Sequence, residues 1–309
     1  MKRRFSTVAA TSVLLLALAG CTAAETADAE ASTPTVEATD SATAATTASF
    51  AASNGDCDAM AATLREVESA NADLVDPELS AVCDGDTLTI TSNSIPDYLY
   101  VATTPGSPKV SEVEMTIPVN PTVADEPTDV PLLGALGVAV NGVPIYGPTE
   151  GTGGDVKSLQ GALSECGSHS GPTDFHIHWF GYADGVDCLY DAEEVETGES
   201  LVIGWAADGY PIMSGVVCAD DDCSETVQLT SSWQLTDESL FATDTWAAHS
   251  YVEGSGDLDE CNGRIDSDGQ YRYYSTTTFP YFVGCYYGDV ADDALGGNNA
   301  VNPGGGAGG

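Results

Sequence analysis

Two segments of the chain repeat one short pattern of apolar residues around a turn. Residues 137–147 read GVAVNGVPIYG and residues 204–215 read GWAADGYPIMSG, at an offset of 67 positions. Asn-Gly or Asp-Gly between apolar runs is the strongest local signal for a β-hairpin, because both central residues of a two-residue turn need a positive φ. Each segment is therefore predicted to form a β-hairpin with a two-residue turn, Asn141-Gly142 in the first and Asp208-Gly209 in the second.

The similarity continues downstream of both hairpins. LSECGSHSGPTDFHIH at 163–178 parallels LDECNGRIDSDGQYRYY at 258–274, and the offset grows to 95 positions. The second copy therefore contains an insertion of about 28 residues, which we place within 216–250. The repeat predicts a mainly β fold, a duplicated, hairpin-rich unit with pseudo-two-fold symmetry and copies at about 137–188 and 204–285. Whether the copies pack within one chain or across a dimer is left open.

The first twenty residues have the order of a bacterial export signal. Basic residues at 2–4 precede an apolar run at 13–19, which is too short for a stable membrane span. The tetrad LAGC at 18–21 resembles a lipobox, which would make Cys21 the lipidated N-terminus after cleavage of residues 1–20. We expect an extracytoplasmic lipoprotein, anchored to a bacterial membrane through lipid on Cys21.

Composition sets the limits of the folded body. Residues 21–54 are rich in Ala, Thr, Ser and Glu without apolar periodicity, which predicts a flexible tether after the lipidated cysteine. Residues 289–309 end in NPGGGAGG and are predicted to be a disordered tail. The globular domain is therefore expected at 55–288.

A helix is predicted at the start of this domain. Met60, Leu64 and Val67 recur at helical spacing within 58–74, and Asp56 is a suitable N-cap. We expect this short N-terminal helix to pack on the β-rich body and to have a structural role.

Eight cysteines remain when Cys21 is assigned to lipid. An even number in an exported chain predicts disulfides. The repeat makes Cys166–Cys188 and Cys261–Cys285 the symmetric pairs, Cys218 and Cys223 flank a short acidic loop, and Cys57 is left with Cys83. The sequence has no paired CxxC motifs, which argues against a cysteine-rich zinc site.

The charge of the chain excludes several kinds of partner. It carries 48 Asp and Glu against 8 Lys and Arg, a formal net charge of −40. Such a surface repels phosphate groups, which excludes nucleic acid and docking on anionic lipid headgroups. The lipid anchor is the one membrane contact that we expect, and the sequence identifies no protein partner.

Three of the four histidines fall within ten residues. In FHIH at 175–178, alternation on a strand points His176 and His178 to one side. His169 precedes a Ser-Gly-Pro-Thr turn that could fold it back towards them. Three converging imidazoles suit zinc or copper, so we predict a copper or zinc site formed by these histidines. The candidates for an additional ligand are Glu165, Asp174, Asp184 and His249.

Other interpretations of the histidines stay open. They could instead be structural, on a protein whose surface serves as an interaction module. An open metal position would make the protein an extracytoplasmic enzyme that carries out oxidation or hydrolysis. The sequence does not decide on an enzyme, and a binding role is favoured over catalysis. Calcium is a weaker expectation, because Asp266-Ser267-Asp268-Gly269 begins like a calcium loop but no Glu closes it.

The same segments carry a family resemblance. NGVPI, ECGSH, FHIH, DGYPI and YRYY, in this order and spacing, resemble the bacterial YHYH-domain family, named for a Tyr-His-Tyr-His tetrad. The resemblance runs from about residue 92 to residue 288. It implies an architecture and an exported setting rather than an activity. This chain departs from the family pattern with FHIH at 175–178 and YRYY at 271–274, so any use of histidines from both copies is in doubt here.

Overall fold

The computed structural model describes residues 54–103, 106–220, 222–291 and 294–297. The predicted signal peptide, Cys21, the tether up to residue 53 and the end of the tail lie outside the described residues. In chain order the elements are α1 (Cys57–Ala61), β1 (Leu79–Asp84), β2 (Thr87–Ser92), β3 (Val113–Pro118), β4 (Val123–Asp129), β5 (Ala135–Ala139), β6 (Pro144–Tyr146), a 3-10 turn (Val156–Ser158), β7 (Ser168–Ser170), β8 (Phe175–Ile177), α2 (Ala192–Glu196), β9 (Val202–Ala206), β10 (Pro211–Met213), β11 (Val216–Cys218), β12 (Thr226–Gln228), β13 (Trp233–Leu235), α3 (Thr245–Ala248), β14 (His249–Tyr251), β15 (Gly263–Ile265), β16 (Tyr271–Tyr274), β17 (Cys285–Gly288) and β18 (Leu295–Gly297).

An eight-stranded sheet contains both copies of the repeat. Its strand order is β15-β16-β10-β9-β5-β6-β8-β7, so each copy contributes four neighbouring strands in mirrored order. The copies meet where β5 runs antiparallel to β9, and Val138 lies opposite Trp205 on the pseudo-two-fold axis. The mainly β, duplicated fold is thus confirmed, and the two copies pair within one chain.

Two glycines allow β5 and β9 to approach each other. Gly137 lies opposite Ala206, and Gly204 lies opposite Ala139. A Cβ atom on Gly137 would stand 2.5 Å from the carbonyl oxygen of Trp205, and one on Gly204 would stand 2.4 Å from that of Val138. The repeated glycine is therefore a packing requirement at the centre of the sheet.

The repeat hairpins form, but the prediction of a two-residue turn is wrong. Ala139 N donates to Val143 O, so the loop that this bond closes has three residues, 140–142, and Gly142 alone among them has a positive φ, +84°. The loop at Asp208 closes in the same way, with Gly209 at +87°. In such a three-residue loop only the last residue needs the left-handed region, which a Gly in that position provides.

A four-stranded antiparallel sheet, ordered β1-β2-β3-β18, packs on this body. Leu88 and Ile90 on β2 and Met115 and Ile117 on β3 are fully buried, as expected for strands with one face on the core. The strand β18 corrects the predicted boundary at residue 288, because it pairs with β3 at 295–297. The strand pairs through main-chain groups, so the Gly-rich composition of the tail gave no sign of it.

Four disulfides join the predicted pairs: Cys57–Cys83, Cys166–Cys188, Cys218–Cys223 and Cys261–Cys285. Between β10 and β15, where the second copy is longer, the chain forms the hairpins β11–β12 and β13–β14 and the helix α3.

The N-terminal helix is shorter than the spacing of Met60, Leu64 and Val67 predicts. The Asp56 side chain caps it by accepting from Ala59 N, but α1 ends at Ala61. Beyond it, Arg65 N donates to Val140 O, so a tertiary hydrogen bond replaces further helical turns. None of the described helices is long and apolar enough to cross a membrane.

Candidate metal centre

The β7–β8 hairpin brings the histidine cluster together. Antiparallel pairing places His169 directly opposite His176, and Gly171 N donates to Asp174 O to close the turn. The side chains of directly opposite residues project to the same face of a sheet. His178 follows β8 two positions after His176, on that same face, as the alternation predicts.

One ring nitrogen of each histidine lies within 4.8 Å of those of the other two. The Nε2 atoms of His169 and His176 are 2.9 Å apart. All three residues are only 2–4 % exposed. This is the one group of three or more His, Cys, Asp or Glu able to surround a metal ion in the described part of the chain.

Hydrogen bonds on the outer side fix the orientation of two rings. His176 Nδ1 donates to Asp174 Oδ1 at 2.9 Å, and His178 Nδ1 donates to the carbonyl oxygen of Gly147 at 2.6 Å. Each bond places the proton on Nδ1 and leaves the Nε2 lone pair turned inward. Histidines that bind metals in proteins are held by outer bonds of this kind.

Tyr146 supports the same arrangement from β6. Its ring stacks on His176 with centroids 3.9 Å apart and planes 9° from parallel, and its hydroxyl donates to Asp174 Oδ2 at 2.9 Å. Because β6 runs parallel to β8, with Ile145 opposite Ile177, Tyr146 and Gly147 lie beside the histidine strand.

Burial keeps two of the imidazoles neutral. Loss of solvent and the neighbouring His176 lower the pKa of His169 to about 4. The same two causes hold the pKa of His178 well below its usual value. Neutral imidazole, with a free lone pair, is the form that binds a metal.

Glu150 also faces the cluster and was not among the predicted ligands. Its Oε1 atom lies 3.4 Å from His169 Nε2 and 3.8 Å from His178 Nε2. Burial raises the pKa of this carboxyl group. No local signal marked it, because its loop lies about twenty residues before the first histidine of the cluster.

Comparison with known families agrees with this architecture. The family model described as "YHYH protein" matches residues 114–288, more than half of the chain. The chain belongs to the YHYH protein family. No curated protein and no solved structure matches it.

The other predicted ligands have different positions in this YHYH domain. Asp174 contacts His176 through the outer nitrogen rather than from the inner side. Glu165 and Asp184 are exposed. His249 stacks on Phe279 at 4.1 Å and donates from Nδ1 to the Thr245 carbonyl oxygen. Among the described residues, Glu165, Asp184 and His249 are not part of the three-histidine group.

In the second copy of the YHYH domain, arginines occupy the positions of the first two histidines of the cluster. Arg264 lies opposite Arg272 as His169 lies opposite His176. Arg264 Nε and Arg272 Nη1 contact the two oxygens of Asp266 at 2.9 and 2.8 Å, and the Tyr274 hydroxyl donates to Asp266 as well. Three donors thus surround a carboxylate, where the first copy brings together three imidazole ring nitrogens.

The acidic turn of the second copy is used in this network. Arg272 Nη2 also contacts Asp268 Oδ2 at 2.7 Å, and this arginine holds the pKa of Asp268 down to about 2. The oxygens that resemble the start of a calcium loop are therefore paired with arginines.

Proposed function

We propose that this YHYH domain binds one transition-metal ion, copper or zinc, through His169, His176 and His178. The observation that carries the proposal is the convergence of three buried ring nitrogens, two of them on rings oriented by outer hydrogen bonds. A bound cation would give these lone pairs a shared partner.

The polar atoms inside the cluster support this proposal. His178 Nε2 is buried and has no hydrogen-bond partner among the described residues. Leaving such an atom unsatisfied costs about 1–3 kcal/mol, which coordination would recover. A metal with bonds of about 2.0–2.1 Å holds tetrahedral ligand atoms about 3.4 Å apart, and the ring nitrogens, which lie within 4.8 Å of one another, would reach that spacing by changes of about 1.5 Å or less.

The choice of copper or zinc follows from the ligand atoms. Imidazole suits both metals, whereas calcium prefers a full set of oxygen ligands. The eight cysteines of the described body are paired in disulfides, so they offer no thiolate that would compete for the ion.

The second copy provides an internal comparison. There, Arg264, Arg272 and Tyr274 surround the negative charge of Asp266. The position that corresponds to Asp266 in the first copy is Gly171, and a Cβ there would stand 2.7 Å from Cε1 of His176. The first copy thus has imidazole nitrogens and no carboxylate at this position of the turn, the complement expected for a cation.

Export and anchoring belong to the same proposal. The signal-like residues 1–20 and the lipobox at Cys21 support a lipoprotein that acts outside the cytoplasm. The four disulfides support an oxidising compartment. Expression in a bacterial host tests this: the native chain should enter the membrane fraction, and Cys21→Ser should release it. Equal membrane retention of both would contradict the anchor.

Metal analysis of the purified protein tests the site. After incubation with copper or zinc and gel filtration, we expect about one equivalent per chain, and close to none for the His176→Ala, His178→Ala double variant. His249→Gln is the matched control, since it removes the histidine outside the cluster. Absence of bound metal in the native protein, with unchanged melting temperature on metal addition, would overturn the proposal.

A further inference from the structure

We propose that Glu150 is the fourth ligand of the ion, and that residues 241–246 of the second copy hold Glu150 in place. This inference rests on the proposed function, because it completes the same site. It assigns a role to the longer β10–β15 connection, which is present in the second copy alone.

Glu150 has the position that a fourth ligand requires. Its Oε1 atom lies 3.4 Å from His169 Nε2 and 3.8 Å from His178 Nε2, close to the spacing of tetrahedral ligand atoms, about 3.4 Å. That oxygen is buried and has no hydrogen-bond partner in the described chain. The other oxygen accepts from Gly151 N at 3.3 Å, which turns Oε1 towards the histidines.

The charge of Glu150 also suits the site. The side chain is 14 % exposed, against 2–6 % for the three histidine side chains, so it lies at the outer side of the cluster. A carboxylate there would offset part of the ion's charge, which imidazole ligands cannot do because imidazole binds a metal in its uncharged form.

A tight loop carries Glu150. Glu150 N donates to Gly154 O at 2.9 Å, Gly153 N donates back to Glu150 O at 2.7 Å, and Thr149 bridges to Asp155. These bonds define the loop but do not fix its position over the histidines.

Residues 241–246 of the second copy fix that position through four hydrogen bonds. Asp155 N donates to Phe241 O at 2.8 Å, and Thr245 N donates to Gly153 O at 2.9 Å. The Thr245 hydroxyl donates to Asp155 Oδ2 at 2.8 Å, and Trp246 Nε1 donates to Thr149 Oγ1 at 3.0 Å. Asp155 and Thr245 are both fully buried.

The main chain at Gly153 and Gly154 also packs directly against the main chain of residues 242–243, so neither glycine has room for a side chain. A Cβ on Gly153 would stand 2.6 Å from Thr243 O, and one on Gly154 would stand 2.3 Å from Ala242 O. Both main-chain and side-chain contacts therefore hold the Glu150 loop against residues 241–246.

Four protein ligands would close the coordination of a tetrahedral ion. Sites closed in this way hold a metal firmly, whereas catalytic zinc sites keep one position for water or substrate. Glu150 thus gives the domain a binding site rather than an open catalytic one. Its four ligands come from the first copy, and the second copy holds the loop of Glu150 in place.

Affinity measurements on the full chain test both parts of the inference. Zinc affinity is measured by competition with a chelator, and Co²⁺ absorption reports the ligand set. Glu150→Ala and Glu150→Gln should weaken zinc binding by at least about 100-fold, above the range for outer-bond losses, and shift the Co²⁺ spectrum. Glu165→Gln, at an exposed carboxylate, is the matched control and should behave as the native protein.

The positioning role has its own variants. Thr245→Val and Trp246→Phe each remove hydrogen bonds to the loop and should weaken zinc binding by about 10-fold with the stoichiometry kept. The melting temperature of the metal-free protein separates this effect from unfolding. Native affinity in both would overturn the positioning role.

The outcomes distinguish this inference from the proposed function. Native affinity and an unchanged Co²⁺ spectrum in the Glu150 variants would overturn the fourth ligand and leave the three-histidine site standing. Failure of the native protein to bind zinc, copper or cobalt would overturn both.

Discussion

His176 Nδ1 and Asp174 Oδ1 are 2.9 Å apart, and both residues are buried within the β7–β8 hairpin. The carboxylate fixes the proton of the imidazole on Nδ1, so the Nε2 lone pair faces His169. Tyr146 in turn holds the second carboxylate oxygen. Asp174 was predicted as a possible additional ligand. In the structure its carboxylate holds the outer nitrogen of His176, one of the three proposed ligands.

Replacement of this carboxylate should weaken the site without removing it. We expect Asp174→Ala to lower zinc affinity by about 10–100-fold, with about one equivalent still bound at high metal concentration. Tyr146→Phe is the comparison, since it keeps the ring that stacks on His176 and loses only the bond to Asp174, so its effect should be smaller. Chelator competition measures both, and native affinity in Asp174→Ala would contradict the orienting role.

The arginines of the second copy should differ in their effect on stability. The Arg272 side chain is 6 % exposed and contacts both Asp266 and Asp268. Its removal takes the charged hydrogen bonds from the half-buried Asp266, whose side chain is 17 % exposed, so Arg272→Ala should lower the free energy of unfolding by about 1.5–3 kcal/mol. The Arg264 side chain is 36 % exposed, and Arg264→Ala should cost about 1 kcal/mol or less. Urea titration compares them, and no loss in either variant would reject a stabilising role for this network.

Asp208 should make stability depend on pH. It is fully buried, and burial raises its pKa to about 6. As pH rises, the unfolded chain loses this proton near its ordinary pKa, while the folded protein keeps it up to about pH 6. The folded state is therefore disfavoured progressively across this window, by about 3 kcal/mol in total.

Asp208→Asn isolates this contribution from the other carboxylates. The first copy has Asn141 at the equivalent turn position, so the loop accepts the amide. Relative to the native protein, the variant should gain about 3 kcal/mol between about pH 4 and pH 7 in urea titrations. Parallel stability curves over that range would show that Asp208 does not titrate as described.

The centre of the sheet should not tolerate a methyl group. In Gly204→Ala the new Cβ would meet the Val138 carbonyl oxygen at 2.4 Å. Separation of β5 from β9 should cost about 1–3 kcal/mol, the range for overpacked interiors. Gly151→Ala is the control, because its Cβ would meet nothing within 4 Å in the described part of the chain. Thermal unfolding checks this, and equal melting temperatures would contradict the close approach.

Several features followed from the chain compared with itself. Asn-Gly at 141–142 and Asp-Gly at 208–209, each between apolar runs, indicated the two hairpins and the pseudo-two-fold symmetry. The matched cysteines indicated two of the disulfide pairs. Alternation in FHIH placed His176 and His178 on one face, and a turn of four residues brought His169 opposite them. Each of these features depends on residues that are close together in the sequence or on a pattern that occurs twice. Both kinds of feature can be recognised from the sequence alone.

The rest depended on contacts between segments that no local pattern connects. Glu150 meets the histidines because its loop is bonded to Thr245 and Trp246, almost one hundred residues away. The helix α1 ends early because Arg65 bonds to Val140, and β18 forms because β3 offers an open edge. The sequence by itself determined the duplicated β fold and the three histidines. The tertiary structure alone decided which carboxylate faces them, because hydrogen bonds between segments almost one hundred residues apart leave no pattern in the sequence of either segment.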